Sequence, residues 1–538
     1  MIASAADGRI DMVQVLGSKA QEPMSTDTDK EVPSNVTIAN AAGADAEELL
    51  ELGYQPQLKR VRSFAHIFTM TLTFFAVPYG YAAALGTALI GGGPASMVWG
   101  YVFVSLGTWC VAYSVGEIAS RYPTAAGPYY WTFQLAPRSI HKALSYITGW
   151  IFLTGVILSS ASVGFGTAQL ILATANIVYP DYVFTDWTYV LVAYAVLLLA
   201  VAPMILKPQW LPQFDYVATV LTWLVEIGFV IVLAARADSG RRSASFAFFD
   251  YDTSFSGWGN GWTFFIGCLP AAYINCGIGL VTSMSEEVRD PERAIPKAMI
   301  WGVPASLILG WMFALPLTFT LPDISTLLNA PGGVPIALAL KLIIGNDAGS
   351  IVIMAGIIAI GYFCSVANNT AASRLLWSFS RDDAVPFSRL WSKVDSKGNI
   401  PNAIALNLIV QMALVLIYLG SASAYNALAG SAVIGFGIAY LIPVVCSLAS
   451  KRKIISLAPF SSAFWGPIAN VGMVAWVSLA TVIFCMPTTL PVTPASMNYA
   501  SVVLVFFAAG AGIWYFLRAH RTYLPPEHAA LVQVGASD

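Results

Sequence analysis

Twelve apolar runs, each long enough to cross a hydrocarbon layer of roughly 30 Å as a helix, leave this chain few folds to choose from. They lie near 64–90, 95–117, 143–173, 186–206, 211–235, 261–284, 298–321, 348–377, 402–420, 425–449, 466–486 and 499–517. Inside lipid each backbone N–H and C=O must be paired within its own segment, so such runs become helices. Charged residues make up 10% of the chain and hydrophobic ones 57%, where a soluble chain carries about 25% charge. The expectation is an all-α polytopic membrane protein with 12 transmembrane helices. Residues 1–58 are polar and read as a disordered cytosolic tail. Residues 59–522 form the membrane domain, and 523–538 form a second cytosolic tail.

Of the 27 Lys and Arg, only Arg236, Arg241, Arg242 and Lys341 fall outside the tail and the loops assigned to the cytosolic side. That asymmetry predicts cytosolic termini. The net charge of −2 gives no nucleic-acid footprint. Six cysteines form no CxxC pattern and four histidines do not pair, so neither a metal site nor a cofactor is expected.

Two runs are interrupted where a helix is costly to interrupt. The first contains Phe74-Phe-Ala-Val-Pro-Tyr-Gly-Tyr81; Pro78 removes a backbone donor and Gly80 frees the backbone. The sixth carries Pro270, Asn275, Gly277 and Gly279 near its middle. Each alone reads equally as a proline kink. Breaks at matching places, at the head of two five-helix halves, mark a solute site built from discontinuous helices at mid-membrane. The halves run from about 64 to 235 and from 261 to 449, with two extra helices at 466–517. Exposed N–H groups at a half-helix start hold a carboxylate without a basic side chain. The opposite carbonyl ends hold an ammonium group, and Phe74, Phe75, Tyr79, Tyr81 and Tyr273 offer ring faces to a quaternary amine.

Glu226 lies in the middle of the fifth run. An ionisable group at that depth costs about 2.5–3.5 kcal/mol, which makes it the candidate carrier of a coupling proton. The alternative is a neutral acid hydrogen-bonded to another helix. Glu117, Arg121, Glu286, Glu287, Arg289 and Arg293 cluster at predicted cytosolic ends. They read first as solvated flanks that fix topology, and second as a gate of ion pairs. The segment Glu117 to Trp131 is too polar to span and too aromatic for a plain linker, so it reads as interfacial or re-entrant.

Three stretches carry a resemblance: Glu117-Ile-Ala-Ser-Arg-Tyr-Pro-Thr-Ala-Ala-Gly-Pro-Tyr-Tyr-Trp131, Met284-Ser-Glu-Glu-Val-Arg-Asp-Pro-Glu-Arg-Ala-Ile-Pro-Lys297 and Ala371-Ala-Ser-Arg-Leu-Leu-Trp-Ser-Phe-Ser-Arg-Asp382. Over about 50–525 the chain resembles the amino acid–polyamine–organocation superfamily, and within it the fungal amino acid/choline and GABA permeases. The resemblance implies a five-plus-five inverted repeat followed by two helices. It places the unwound turn of the first helix on Pro78-Tyr79-Gly80 and that of the sixth on about Ile274 to Gly277. Tyr273 takes the place of a gating aromatic, and Asn368 faces the pocket. Two departures stand out: Pro-Tyr-Gly replaces a Gly-Ser-Gly-like turn, and Gly279 stands where many GABA-type members carry an acid. Some relatives use a lysine for proton coupling where this chain has Thr222, one turn before Glu226.

The expectation drawn together is a secondary active permease for an amino acid, choline or GABA-like amine, importing it with protons across the plasma membrane and contacting membrane lipid. The expected substrate-binding residues are Phe75, Ala76, Val77, Pro78, Tyr79, Gly80, Tyr273, Asn275, Cys276, Gly277 and Asn368. An exporter, a channel and a non-transporting nutrient sensor are the alternatives. An enzyme would need convergent His, Asp or Cys groups at the membrane face, and the sequence offers none.

Overall fold

The computed structural model describes residues 62–523 apart from 239, 396–397, 422–423 and 494–495, together with Leu52 and Pro525. The assigned tails 1–58 and 523–538 therefore lie almost wholly outside the described residues. Twelve helices are long and apolar enough to cross a membrane. They are Phe64–Ile90, Gly93–Arg121, His141–Val178, Asp186–Leu206, Pro208–Ala235, Asn260–Glu287, Pro291–Thr320, Asp347–Arg381, Pro401–Leu419, Ala427–Ala449, Trp465–Ile483 and Ala500–Thr522, called spans one to twelve below. The described residues hold no β-strand.

Spans one, three and six are the most enclosed, and span twelve is almost bare. That ordering follows from packing. Span one lies against spans five, seven and eight, while span three lies against spans four, eight and ten. Spans eleven and twelve sit outside, with Val505, Phe506, Phe516 and Leu517 exposed where lipid would lie. The Pro128–Leu135 helix, in the segment expected to be interfacial or re-entrant, is buried against span three, with Tyr129, Tyr130 and Trp131 at 0% exposure.

Span one breaks at one residue. Phe64–Phe75 ends at Ala76, whose φ of 41° and ψ of 50° are left-handed, and Val77–Ile90 starts anew. The expected turn at Pro78-Tyr79-Gly80 is thus displaced by two residues. Pro78 sits in the first turn of the second half-helix, where its missing N–H would have had no partner anyway. Gly80 is helical and supplies closeness: a methyl group there would collide with the Ile274 side chain of span six.

Span six does not open as span one does. It runs Asn260–Gly267, pivots at Cys268 and resumes at Leu269–Asn275 with Pro270 in the first turn. From Cys276 to Glu287 it tightens into 12 residues of 3-10 helix. Such helices seldom exceed three or four residues, and a long one within a span marks strain or a hinge.

Candidate substrate pocket and its seals

The two irregular spans meet across a small cavity. Phe75, Tyr79, Gly80, Tyr273, Cys276, Gly277 and Asn368 line it, joined by Ser159 and Val163 of span three and Cys364 of span eight. Of the other expected residues, Ala76 forms the turn and Val77 and Pro78 begin the second half-helix. Asn275 faces a separate cavity of about 40 Å³, shared with Tyr440 and Trp476 on another side of span six. The cavity between the breaks measures about 10 Å³, room for roughly one water. Sequence reading missed Ser159 and Cys364, because a lone serine or cysteine in a long apolar run carries no pattern.

The polar atoms around this cavity are mostly engaged with each other. The Tyr79 hydroxyl donates to the Val163 carbonyl at 2.9 Å, and the Tyr273 hydroxyl pairs with Ser162 Oγ at 2.7 Å. Both tyrosines therefore hook onto span three. Ser159 Oγ donates to Asn368 Oδ1 at 3.0 Å, and Asn368 Nδ2 donates to the Cys364 carbonyl at 3.0 Å. Beyond the tyrosines, towards the Ile90 end of span one, lies a larger hollow of about 520 Å³, which Thr87, Gln169, Asn176, Tyr189 and Tyr418 help to line.

Gly279 explains one departure noted in the sequence. A Cβ there would stand 2.5 Å from Cζ of Tyr440. Tyr440 is itself stacked on Phe436 and tilted against Phe152. An acidic side chain at this position would have to displace that aromatic group.

The opposite end of span one is closed by charge. Arg62, just before the span, is 2% exposed. It reaches Asp215 of span five at 3.2 Å and Glu287 of span six at 3.3 Å. Arg374 of span eight reaches the other Glu287 oxygen at 2.9 Å. Burial opposes the Arg62 charge, but the Glu287 and Asp215 carboxylates outweigh it and hold the guanidinium above its usual value. The backbone is tied there too: Arg62 N–H donates to the Glu287 carbonyl at 2.9 Å, and Arg289 N–H to the Arg62 carbonyl at 3.0 Å. Nearby Arg381 meets Glu286 at 3.2 Å, and Arg452 meets Glu117 at 2.7 Å.

Solvated flanks therefore do not describe Glu117, Glu286 and Glu287, which are buried and paired. The sequence offered the members of this seal singly. It could not pair Arg62 with a partner 153 positions away. Two further residues pack at this end. Leu52 is buried and its carbonyl accepts from the Tyr130 hydroxyl at 2.8 Å, and Tyr523 is buried with its hydroxyl 2.6 Å from Ser145 Oγ.

Glu226 lies elsewhere, on the face of span five that also carries Thr222 and Phe229, and is fully buried. It does not line the cavity between the breaks. Neither carboxyl oxygen has a hydrogen-bond partner among the described residues. The alternative of a hydrogen-bonded neutral acid thus finds no partner there.

Comparison with known proteins agrees with this architecture. The sequence profile described as "Amino acid permease" matches residues 58–508. An amino-acid permease BAT1 homologue of Oryza sativa subsp. japonica is 33% identical over 496 residues, covering 87% of this chain and 95% of the relative. The amino-acid permease BAT1 of Arabidopsis thaliana is 31% identical over 489 residues, covering 88% and 94%. A choline transporter of Saccharomyces cerevisiae is 28% identical over 447 residues, covering 83% and 79%. With a profile match over most of its length and twelve apolar helices, the chain belongs to the amino acid permeases, a family of multi-pass membrane transporters for amino-acid-like solutes.

Proposed function

We propose that this permease imports a small amine-bearing solute by alternating access, coupled to protons, with the Arg62 end of the bundle and both termini in the cytosol of a cell bounded by this plasma membrane. The observation that carries the reading is the left-handed break at Ala76 lying against the point where span six turns from α to 3-10 helix. Half-helix ends there favour a zwitterion: amide N–H groups for a carboxylate, carbonyls for an ammonium group. None of the residues lining the small cavity is ionised at neutral pH in the ordinary way of Asp, Glu, Lys or Arg. Backbone and aromatic groups would therefore supply recognition. The pocket residues would be Phe75, Tyr79, Gly80, Tyr273, Cys276, Gly277 and Asn368, with Ala76, Val77, Pro78 and Asn275 shaping the broken backbone.

Relatives named for amino acids, choline and polyamines support an amine as the common chemical element. Glu226 supports proton coupling, since a buried carboxyl without a partner is a costly thing to keep for structure alone. The test is uptake into reconstituted vesicles of labelled amino acids, GABA, choline and a polyamine, each with and without an imposed proton gradient. Saturable accumulation of one of them, enhanced by an acidic exterior, is the expected outcome. Flux without saturation would favour a channel, binding without flux a sensor, and outward pumping an exporter.

A further inference from the structure

Span twelve is the least enclosed of the twelve, yet its last turns wall a groove of about 430 Å³ against the loop that follows span eight. That size falls within the roughly 300–1,000 Å³ of small-molecule sites. From Tyr515 to Ala519 the helix widens into a π turn. Hydrogen bonds closed from i to i+5 slow the rotation per residue, so side chains four apart stand one above another. Trp514, Arg518 and Thr522 have that spacing, and all three line the groove. The opposite wall runs from Asp383 to Leu390 and carries Arg389. Its own side chains pin it. Ser388 Oγ donates to the Val385 carbonyl at 2.6 Å and accepts from the Val385 N–H at 3.2 Å, while Trp391 Nε1 donates to the Pro386 carbonyl at 2.8 Å. Thr522 Oγ1 meets the Asp383 carbonyl at 3.5 Å where the two walls join.

The groove combines unpaired charge with an apolar rim. Neither Arg389 nor Arg518 has an ion pair or hydrogen bond among the described residues, whereas nearby Arg381 is tied to Glu286 and Arg521 to His520. Asp383 is the one acidic side chain among the described lining residues. Phe387 stands on the same wall as Arg389 at 80% exposure, held at a φ of 59° that few residues other than glycine adopt. Leu390 on that wall, and Ile513, Phe516 and Leu517 on span twelve, are exposed as well. From Ala500 to Arg518 span twelve climbs about 27 Å, against a hydrocarbon core of roughly 30 Å. The groove therefore lies where lipid tails give way to headgroups.

We infer that this groove binds the headgroup of an anionic phospholipid, and that its charges select phosphatidylserine. A phosphoserine headgroup carries two anionic groups, the phosphodiester and the carboxylate, and one ammonium group. The groove answers with two guanidinium groups and one carboxylate. A guanidinium takes either oxyanion in a forked pair of hydrogen bonds, which leaves Asp383 for the ammonium group. A choline headgroup lacks the second anion, and a glycerol headgroup lacks the ammonium group. Phe387, Leu390 and Leu517 meet the acyl chains. The groove lies at the end of the bundle where Arg381 meets Glu286. The reading above places that end in the cytosol, whose leaflet holds the anionic lipids, but the binding itself does not depend on that orientation. A lipid seated there ties the outlying span twelve to the chain just beyond Arg381 of span eight.

The test is native mass spectrometry of the full-length protein in detergent, titrated in turn with dioleoyl phosphatidylserine, phosphatidylglycerol and phosphatidylcholine. The wild type is expected to bind one phosphatidylserine molecule at least about fivefold more tightly than either of the others, roughly the factor that one interfacial arginine contributes. Arg389→Gln/Arg518→Gln changes two exposed side chains and is expected to bind all three lipids alike. Asp383→Asn separates recognition from bulk charge, and asparagine tolerates the left-handed φ of 56° at that position. It is expected to keep both anionic lipids ahead of phosphatidylcholine while levelling phosphatidylserine with phosphatidylglycerol. Glycerophosphoserine, the same headgroup without acyl chains, is expected to leave the bound lipid in place at equal concentration. Its displacing the lipid would mark a site for a free phosphate compound and overturn the lipid assignment. Phosphatidylserine binding that is equal in the wild type and the double variant overturns the site. An Asp383→Asn protein that keeps the wild-type order overturns the choice of the serine headgroup.

Discussion

Ala76 holds span one open at a backbone conformation that costs an L-residue about 1–2 kcal/mol. Ala76→Gly should recover about 1 kcal/mol of that, read as a higher unfolding temperature of the purified protein. Ala76→Val should lose stability and uptake together, because a β-branched side chain is a true outlier there. Gly80 and Ile274 form a matched pair. Gly80→Ala should abolish uptake, and shortening the partner in Gly80→Ala/Ile274→Ala should restore part of it. Pro78 and Gly80 announced a break in the sequence, but its address did not, since nothing in an alanine's chemistry signals a left-handed turn. Arg62 was visible only as a flanking charge. Its two carboxylate partners come from distant spans, and tertiary packing alone brings them together.

At the scale of elements, the legible part was the twelve helices, because length and apolar content dictate them in lipid. Span six was read as irregular from Pro270, Asn275, Gly277 and Gly279, yet its manner of irregularity escaped. A helix tightened to 3-10 over Cys276–Glu287 has the same composition as an α-helix. Its poorer hydrogen-bond geometry has a measurable consequence. Amide hydrogens of 276–287 should exchange faster than those of Leu269–Asn275, and amine substrate should slow them, as hydrogen-exchange mass spectrometry would record. Gly279→Asp should abolish uptake by displacing Tyr440, whereas Gly279→Asp/Tyr440→Ala should regain folding, followed by yield from detergent extracts.

For the whole molecule, the two ends of the bundle are unlike. One carries buried ion pairs tying spans one, five, six and eight together; the other carries a hollow of about 520 Å³ above two tyrosine hooks. Thr87→Cys, in the hollow, should react with a membrane-impermeant thiol reagent added outside intact cells. Removing one partner of a buried ion pair typically costs about 3–5 kcal/mol, because the other charge is stranded. Arg62→Ala should therefore strand Asp215 and leave Glu287 with Arg374 alone, lower stability by a figure of that order, and open this end so that Cys276 reacts with reagent reaching it from the Arg62 side. The asymmetry of Lys and Arg could be counted from the sequence, but the ion pairs drawn from it could not.

The smallness of the central cavity has a consequence for the membrane that houses it. A carrier that waits as a rigid, water-filled cup would offer sodium and hydroxonium a standing wet thread, and a resting voltage of 100 mV drives each such charge with about 2.3 kcal/mol. Here the space between the two breaks is the size of a single water. A solute that binds between the breaks must widen that space itself, and an ion leaking by the same path would need the same widening.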